Sequence, residues 1–102
     1  WPDQAVAWLG LGNAEYALGH PPAAEAAFRQ ALAVRPGEFS AWNNLAYALA
    51  ARQCVRRARE SARCATRLAP ENPAAAQTLK EMQALPLPQS EACEPVPACP
   101  PR

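Results

Sequence analysis

Long apolar runs are missing from this chain: no stretch of about 18 apolar residues occurs, which excludes a membrane-spanning helix. β-Branched residues are scarce while alanine dominates the apolar half, a composition that disfavours pleated strands and suits closely approaching helices. An all-α fold is expected. Net charge is nearly absent too. Ten Lys and Arg against nine Asp and Glu leave +1, so no overall field draws the chain to nucleic acid or an anionic membrane, and neither is expected as a partner. The catalytic inventory is thin: no Ser, His and Asp set can be assembled, no Gly-rich phosphate loop occurs, and the carboxylates stand singly. His20, the one histidine, sits in a turn beside prolines, a structural or simply exposed residue. No C-x-x-C pair accompanies it, so no metal and no other cofactor is expected, nor an enzyme. The N-terminal Trp1-Pro2-Asp3 has neither an initiator Met nor a signal-peptide apolar segment, which suggests a piece cut from a longer chain.

What is present is a repeat. Pro2, Pro36 and Pro70 recur every 34 residues, and the same interval relates Trp8 to Trp42, Leu11 to Leu45, Ala24 to Ala58 and Ala31 to Ala65. Each unit reads as two helices, over residues 5–18 and 22–34, then 39–51 and 55–68. Gly19 suits the left-handed position past a helix end, and Pro21 and Pro22 suit the start of the next helix. A fifth helix is expected from the Asn72-Pro73 pair to about Leu85. Alanines at 24, 31, 58 and 65 let helices approach while Trp8, Phe28 and Trp42 fill the gaps. From Pro86 onward six of 17 residues are proline and the helical spacing ends. This tail is expected to be disordered, the alternative being an extended segment, reaching on the order of 55 Å, that folds back along the helices.

In this register the chain resembles the tetratricopeptide repeat family. Trp8, Leu11, Gly12, Ala24, Phe28, Ala31 and Pro36 fill its signature slots, with Glu15 standing where Tyr is usual. The second repeat keeps Trp42, Leu45, Ala58, Ala65 and Pro70 but has Ala46 for the Gly, Leu49 for the Tyr and Ala62 for the large aromatic. The resemblance implies a helix-turn-helix solenoid: residues 1–4 ending a preceding repeat, repeats at 5–38 and 39–72, a capping helix at 73–85 and a Pro/Cys-rich tail at 86–102. A further repeat upstream and an exposed apolar N-terminal end follow from that frame.

The resemblance also implies a protein or peptide partner held in the concave groove lined by the first helix of each repeat. Asn13 and Asn44 occupy slots where family members use Asn to hydrogen-bond a ligand's main chain. Leu9, Tyr16, Ser40, Asn43 and Tyr47 are their expected groove neighbours, a mix of aromatic area and polar handles. The alternative is that the Asn residues are merely solvated. Members that clasp a C-terminal carboxylate use Lys and Arg, whereas the matching slots here hold Leu9, Ser40, Ala74 and Thr78, so that mode is not expected. A rival function is structural, with the repeats packing within a longer protein or self-associating through the N-terminal end.

Arg52, Arg56, Arg59, Arg63 and Arg67 form one helical stripe; with Arg57 and Glu60, residues 52–67 carry +5. It reads either as a dock for acidic groups or as a solvated face whose stems cover alanine. Cys54 and Cys64 lie roughly 15 Å apart on one helix, too far to pair with each other. Cys93 and Cys99 either close a small loop or staple the tail to Cys54 or Cys64, and disulfides of either kind favour an exported or periplasmic setting over the cytoplasm. The Ala- and Arg-rich style resembles bacterial repeat tails that follow exported cysteine-peptidase-like domains.

Overall fold

The computed structural model describes residues 3–102 and contains five α-helices: α1 (Gln4–Ala17), α2 (Pro21–Val34), α3 (Phe39–Ala51), α4 (Val55–Leu68) and α5 (Pro73–Ala84). Their bounds match the sequence expectation to within a residue at each end. No strand occurs among the described residues, and no helix is long and apolar enough to cross a membrane. Pro2, the first of the spaced prolines, lies outside the described residues.

Local chemistry sets the helix ends. The Asp3 carboxylate accepts the Ala5 and Val6 N–H groups at 2.9 and 3.3 Å, and Asn72 Oδ1 does the same for Ala74 and Ala75 at 2.8 and 3.2 Å. Pro21 and Pro22 open α2, where their missing N–H groups leave no helical acceptor unmatched. The turn after α1 uses Gly19 at φ 80°, followed by a His20 N–H bond to the Glu15 carbonyl at 2.9 Å. The turn after α3 repeats it 34 residues on: Gln53 takes φ 64° and Cys54 N–H reaches the Leu49 carbonyl at 2.8 Å.

Ala24, Ala31, Ala58 and Ala65 are wholly buried, and Phe28 and Trp42 fill the space their small side chains leave. Trp42 is anchored by a 2.8 Å bond from Nε1 to the Pro36 carbonyl, and its own carbonyl accepts the buried Ser61 hydroxyl at 2.6 Å. Trp8 departs from expectation. It is 36% exposed, and Val6 and Leu11 beside it are also exposed. α3 packs against α2, α4 and α5, which enclose Trp42, whereas α1 packs on α2 and the edge of α3, with no other described helix on its far side.

The tail also departs from the disordered expectation. Cys93 is bonded to Cys54 and Cys99 to Cys64, so both bridges staple the tail to α4 and no loop closes between the tail cysteines. Once held there, the extended segment offers carbonyls that have no helical or sheet partner. Arg29 donates to the Pro95 and Glu94 carbonyls at 2.7 and 3.1 Å, and Arg56 to the Pro88 carbonyl at 2.9 Å. Glu91, nearly buried, accepts the Arg56 backbone N–H at 2.9 Å and its guanidinium at 3.1 Å. It thereby caps α4, whose N-cap residue Cys54 supplies no side-chain cap.

Candidate functional site

The tail occupies the side of the solenoid formed by α2 and α4, where the arginine stripe lies. Most of that stripe is therefore used internally. Arg52 pairs with the buried Glu25, which also holds Arg29 at 2.8 Å. Arg57 pairs with Glu60 at 3.0 Å. Arg59 caps the C-terminus of α5 through the Met82, Gln83 and Leu85 carbonyls at 3.1, 3.1 and 2.8 Å, a favourable place for a cation. The stripe's end, Arg63 and Arg67, lies beside the Cys64–Cys99 bridge, exposed and making no hydrogen bond or ion pair among the described residues. His20 is exposed as expected, 3.1 Å from Glu15.

The opposite wall is built from α1, α3 and α5. Asn13, Tyr16, Asn44 and Tyr47 come together there around an open cavity of about 180 Å³, floored by Phe28. Asn44 Nδ2 donates to Asn13 Oδ1 at 2.8 Å, so the two amides are joined across the groove rather than independent. Each retains capacity beyond that bond, a second N–H on Asn44 and a second lone pair on Asn13 Oδ1. The Tyr16 and Tyr47 rings lie 6.5 Å apart, centroid to centroid, at a 59° tilt. The other three expected groove residues do not line the cavity. Leu9 is half-buried against the core, Ser40 is half-buried, and Asn43 donates to Asn44 Oδ1 at 3.4 Å while its own Oδ1 is buried without a hydrogen-bond partner among the described residues.

Glu81 and Gln77 join this wall without having been named from the sequence, beside Thr78, which was named only as a slot lacking a cation. Tyr47 donates its phenol proton to Glu81 Oε2 at 2.6 Å, and Gln77 Nε2 donates to Glu81 Oε1 at 3.2 Å. Thr78 Oγ1 sits 3.2 Å from the Tyr47 oxygen and 2.9 Å from the Ala74 carbonyl. The Tyr47 and Gln77 bonds hold the Glu81 carboxyl below its ordinary value, while burial and then the Glu81 contact hold the Tyr47 phenol above its own. A signal for Glu81 was available: residues 13, 47 and 81 are spaced by 34, so they occupy one rung on three successive first helices. Among the described residues no cluster of three or more His, Cys, Asp or Glu is arranged to hold a metal ion.

A family model described as tetratricopeptide repeat matches residues 9–73. The chain belongs to the tetratricopeptide repeat family, an all-α helical-repeat family whose members generally mediate protein–protein interaction rather than catalysis. No curated protein matches the chain.

Proposed function

We propose that the wall of α1, α3 and α5 binds an extended peptide segment of a partner protein. The observation that carries this reading is the convergence of Asn13, Asn44, Tyr16 and Tyr47 on one open cavity, while the chain's own proline-rich end is stapled to the other side of the solenoid. The joined amides offer a donor and an acceptor to a passing backbone, and the tilted tyrosines offer apolar area with polar edges. Peptide arrays probed with the oxidised chain and with Asn13→Ala, Asn44→Ala and Tyr47→Ala variants test it. Loss of spots in all three at unchanged helicity supports the groove; binding indifferent to all three rejects it.

A second reading, stacking of the N-terminal end on further helices or on a second copy, draws on the exposure of Val6, Trp8 and Leu11. Sedimentation equilibrium of the chain and of Trp8→Ala tests self-association, which a concentration-independent monomer mass removes. The two disulfides support an oxidising compartment outside the cytoplasm. Export of a tagged full-length protein checks it.

A further inference from the structure

We infer that the segment taken by this groove carries a basic side chain, Arg or Lys, whose cation is held between the Glu81 carboxylate and the tyrosine faces of the wall. The inference rests on the groove reading above and adds to it the chemistry of the guest.

The argument begins with charge. The cavity is lined by Asn13, Tyr16, Phe28, Asn44 and Tyr47, none of them charged. Following the hydrogen bonds outward from these residues leads to Asn43, Thr78, Glu81 and Gln77, so the single charge in the connected set is the negative one on Glu81. That carboxylate is exposed, and each oxygen has capacity beyond the bond it accepts from Tyr47 or Gln77. Both donors orient it and favour its ionised form. A guest carboxylate or phosphate brought here would meet like charge and no cation within this hydrogen-bonded set. A guanidinium or ammonium would meet a fixed carboxylate and electron-rich ring faces.

Reach agrees with this placement. Asn13, Tyr47 and Glu81 stand on the same rung of α1, α3 and α5, and packed helices sit on the order of 10 Å apart. An extended guest covers one such step in about three residues. A backbone clasped by the Asn13–Asn44 pair therefore presents, about three to six residues along, a side chain to the Tyr47–Glu81 pair. The long stems of Arg and Lys lie well along a tyrosine ring while the charged end projects past it. This specificity is opposite in sign to a carboxylate clamp, whose slots here hold Leu9, Ser40, Ala74 and Thr78.

The test uses the oxidised 102-residue chain, immobilised, and pools of synthetic peptides that are degenerate except for one central position fixed as Arg, Lys, Gln or Glu. We expect the Arg and Lys pools to be retained about fivefold over Gln, with Glu least. In Glu81→Gln the preference disappears while retention of the Gln pool is unchanged, and in Glu81→Lys the Glu pool is retained best. Glu81 is exposed, so circular dichroism of both variants matches wild type. Retention that falls in Asn44→Ala but shows no Arg or Lys preference, or a preference that survives Glu81→Gln, overturns the inference and leaves the groove reading standing. Retention of no pool, or retention indifferent to Asn44→Ala, removes the groove reading and the inference with it.

Discussion

Gly12 lies so close to the Phe28 ring that a methyl group in its place would sit 2.9 Å from Cζ and nearer still to Cδ1 and Cε1. The corresponding pair one repeat later is Ala46 and Ala62, both wholly buried, so the repeats fill the same space by opposite means. One places glycine against a large ring; the other places alanine against alanine. The mismatch with the family pattern in the second repeat is thus a compensated exchange of volume.

This exchange makes a double-mutant prediction. In the wild-type background Gly12→Ala overpacks the contact and costs about 1–3 kcal/mol despite alanine's better helix propensity. Phe28→Ala costs about 3–5 kcal/mol by leaving a cavity. In the Phe28→Ala background Gly12→Ala changes sign and stabilises by about 1 kcal/mol, because only the propensity gain remains. Urea denaturation of the four proteins measures the cycle. Equal effects in the two backgrounds would show that ring and glycine do not compete for space.

The stapled tail is expected to contribute to stability through chain entropy. The bridges span sequence separations of 39 and 35 residues, so removing either by paired Cys→Ser substitution lowers unfolding free energy by about 2–4 kcal/mol. Glu91→Gln in the oxidised protein costs about 1 kcal/mol, since the α4 N-terminus loses a charged cap. A glutamate-specific protease is expected to cut after Glu91 quickly in reduced protein and slowly in oxidised protein, the bond after Glu94 being protected by Pro95 in both. Equal cutting rates would mean that the bridges do not hold the segment on α4.

Gly19 and Gln53 occupy the same turn position in successive repeats, at φ 80° and 64°. Glycine adopts that region freely, whereas a residue with a Cβ is strained there. Gln53→Gly is therefore expected to stabilise the protein by about 0.5–1 kcal/mol, with Gly19→Ala destabilising by a similar amount. Thermal or urea unfolding reads both. A destabilising Gln53→Gly would show that relief of strain is outweighed by the added freedom of the unfolded chain.

Helices and core alanines were legible because a 34-residue interval fixes both register and inward face, and prolines and capping Asn mark the ends. Trp8 was misread for a physical reason: the interval says which face a residue occupies but not whether a helix lies against it. The tail was misread because proline content argues against a packed core, while two covalent bridges and arginine donors to its carbonyls order it without one. In the groove, Asn13 and Asn44 were singled out from family slots and Tyr16 and Tyr47 as neighbouring positions, and these four line one cavity. Leu9, Ser40 and Asn43 do not line it: Leu9 packs against the core and the Asn43 Oδ1 is buried, since neighbouring positions on a helix face different ways. Glu81 was missed although the interval that links it to Tyr47 was already in hand.

Acidification separates the contact at this wall from the one at the start of α1. Glu81 has its carboxyl held below the ordinary 4.5 by the hydrogen bonds from Tyr47 and Gln77. Asp3 is held below 3.8 chiefly by its bond from Arg35, helped by the Val6 N–H. Because both folded-state values are depressed, each group's stabilising contribution is complete above its ordinary value and is lost as pH falls through the folded one. The Tyr47 phenol, held above its ordinary 10.0, remains a proton donor throughout this acidic range. Tyr47→Phe removes that donor, so the Glu81 titration moves up toward 4.5 while that of Asp3 stays in place. The stability gap between wild type and Tyr47→Phe then narrows as pH falls below 4.5, because a protonated Glu81 no longer gains from the phenol. Carbon-detected NMR of the side-chain carboxyls follows both groups in one titration. A Glu81 midpoint at 4.5 in wild type, or one that Tyr47→Phe leaves unmoved, would mean that the phenol does not hold the carboxylate in solution.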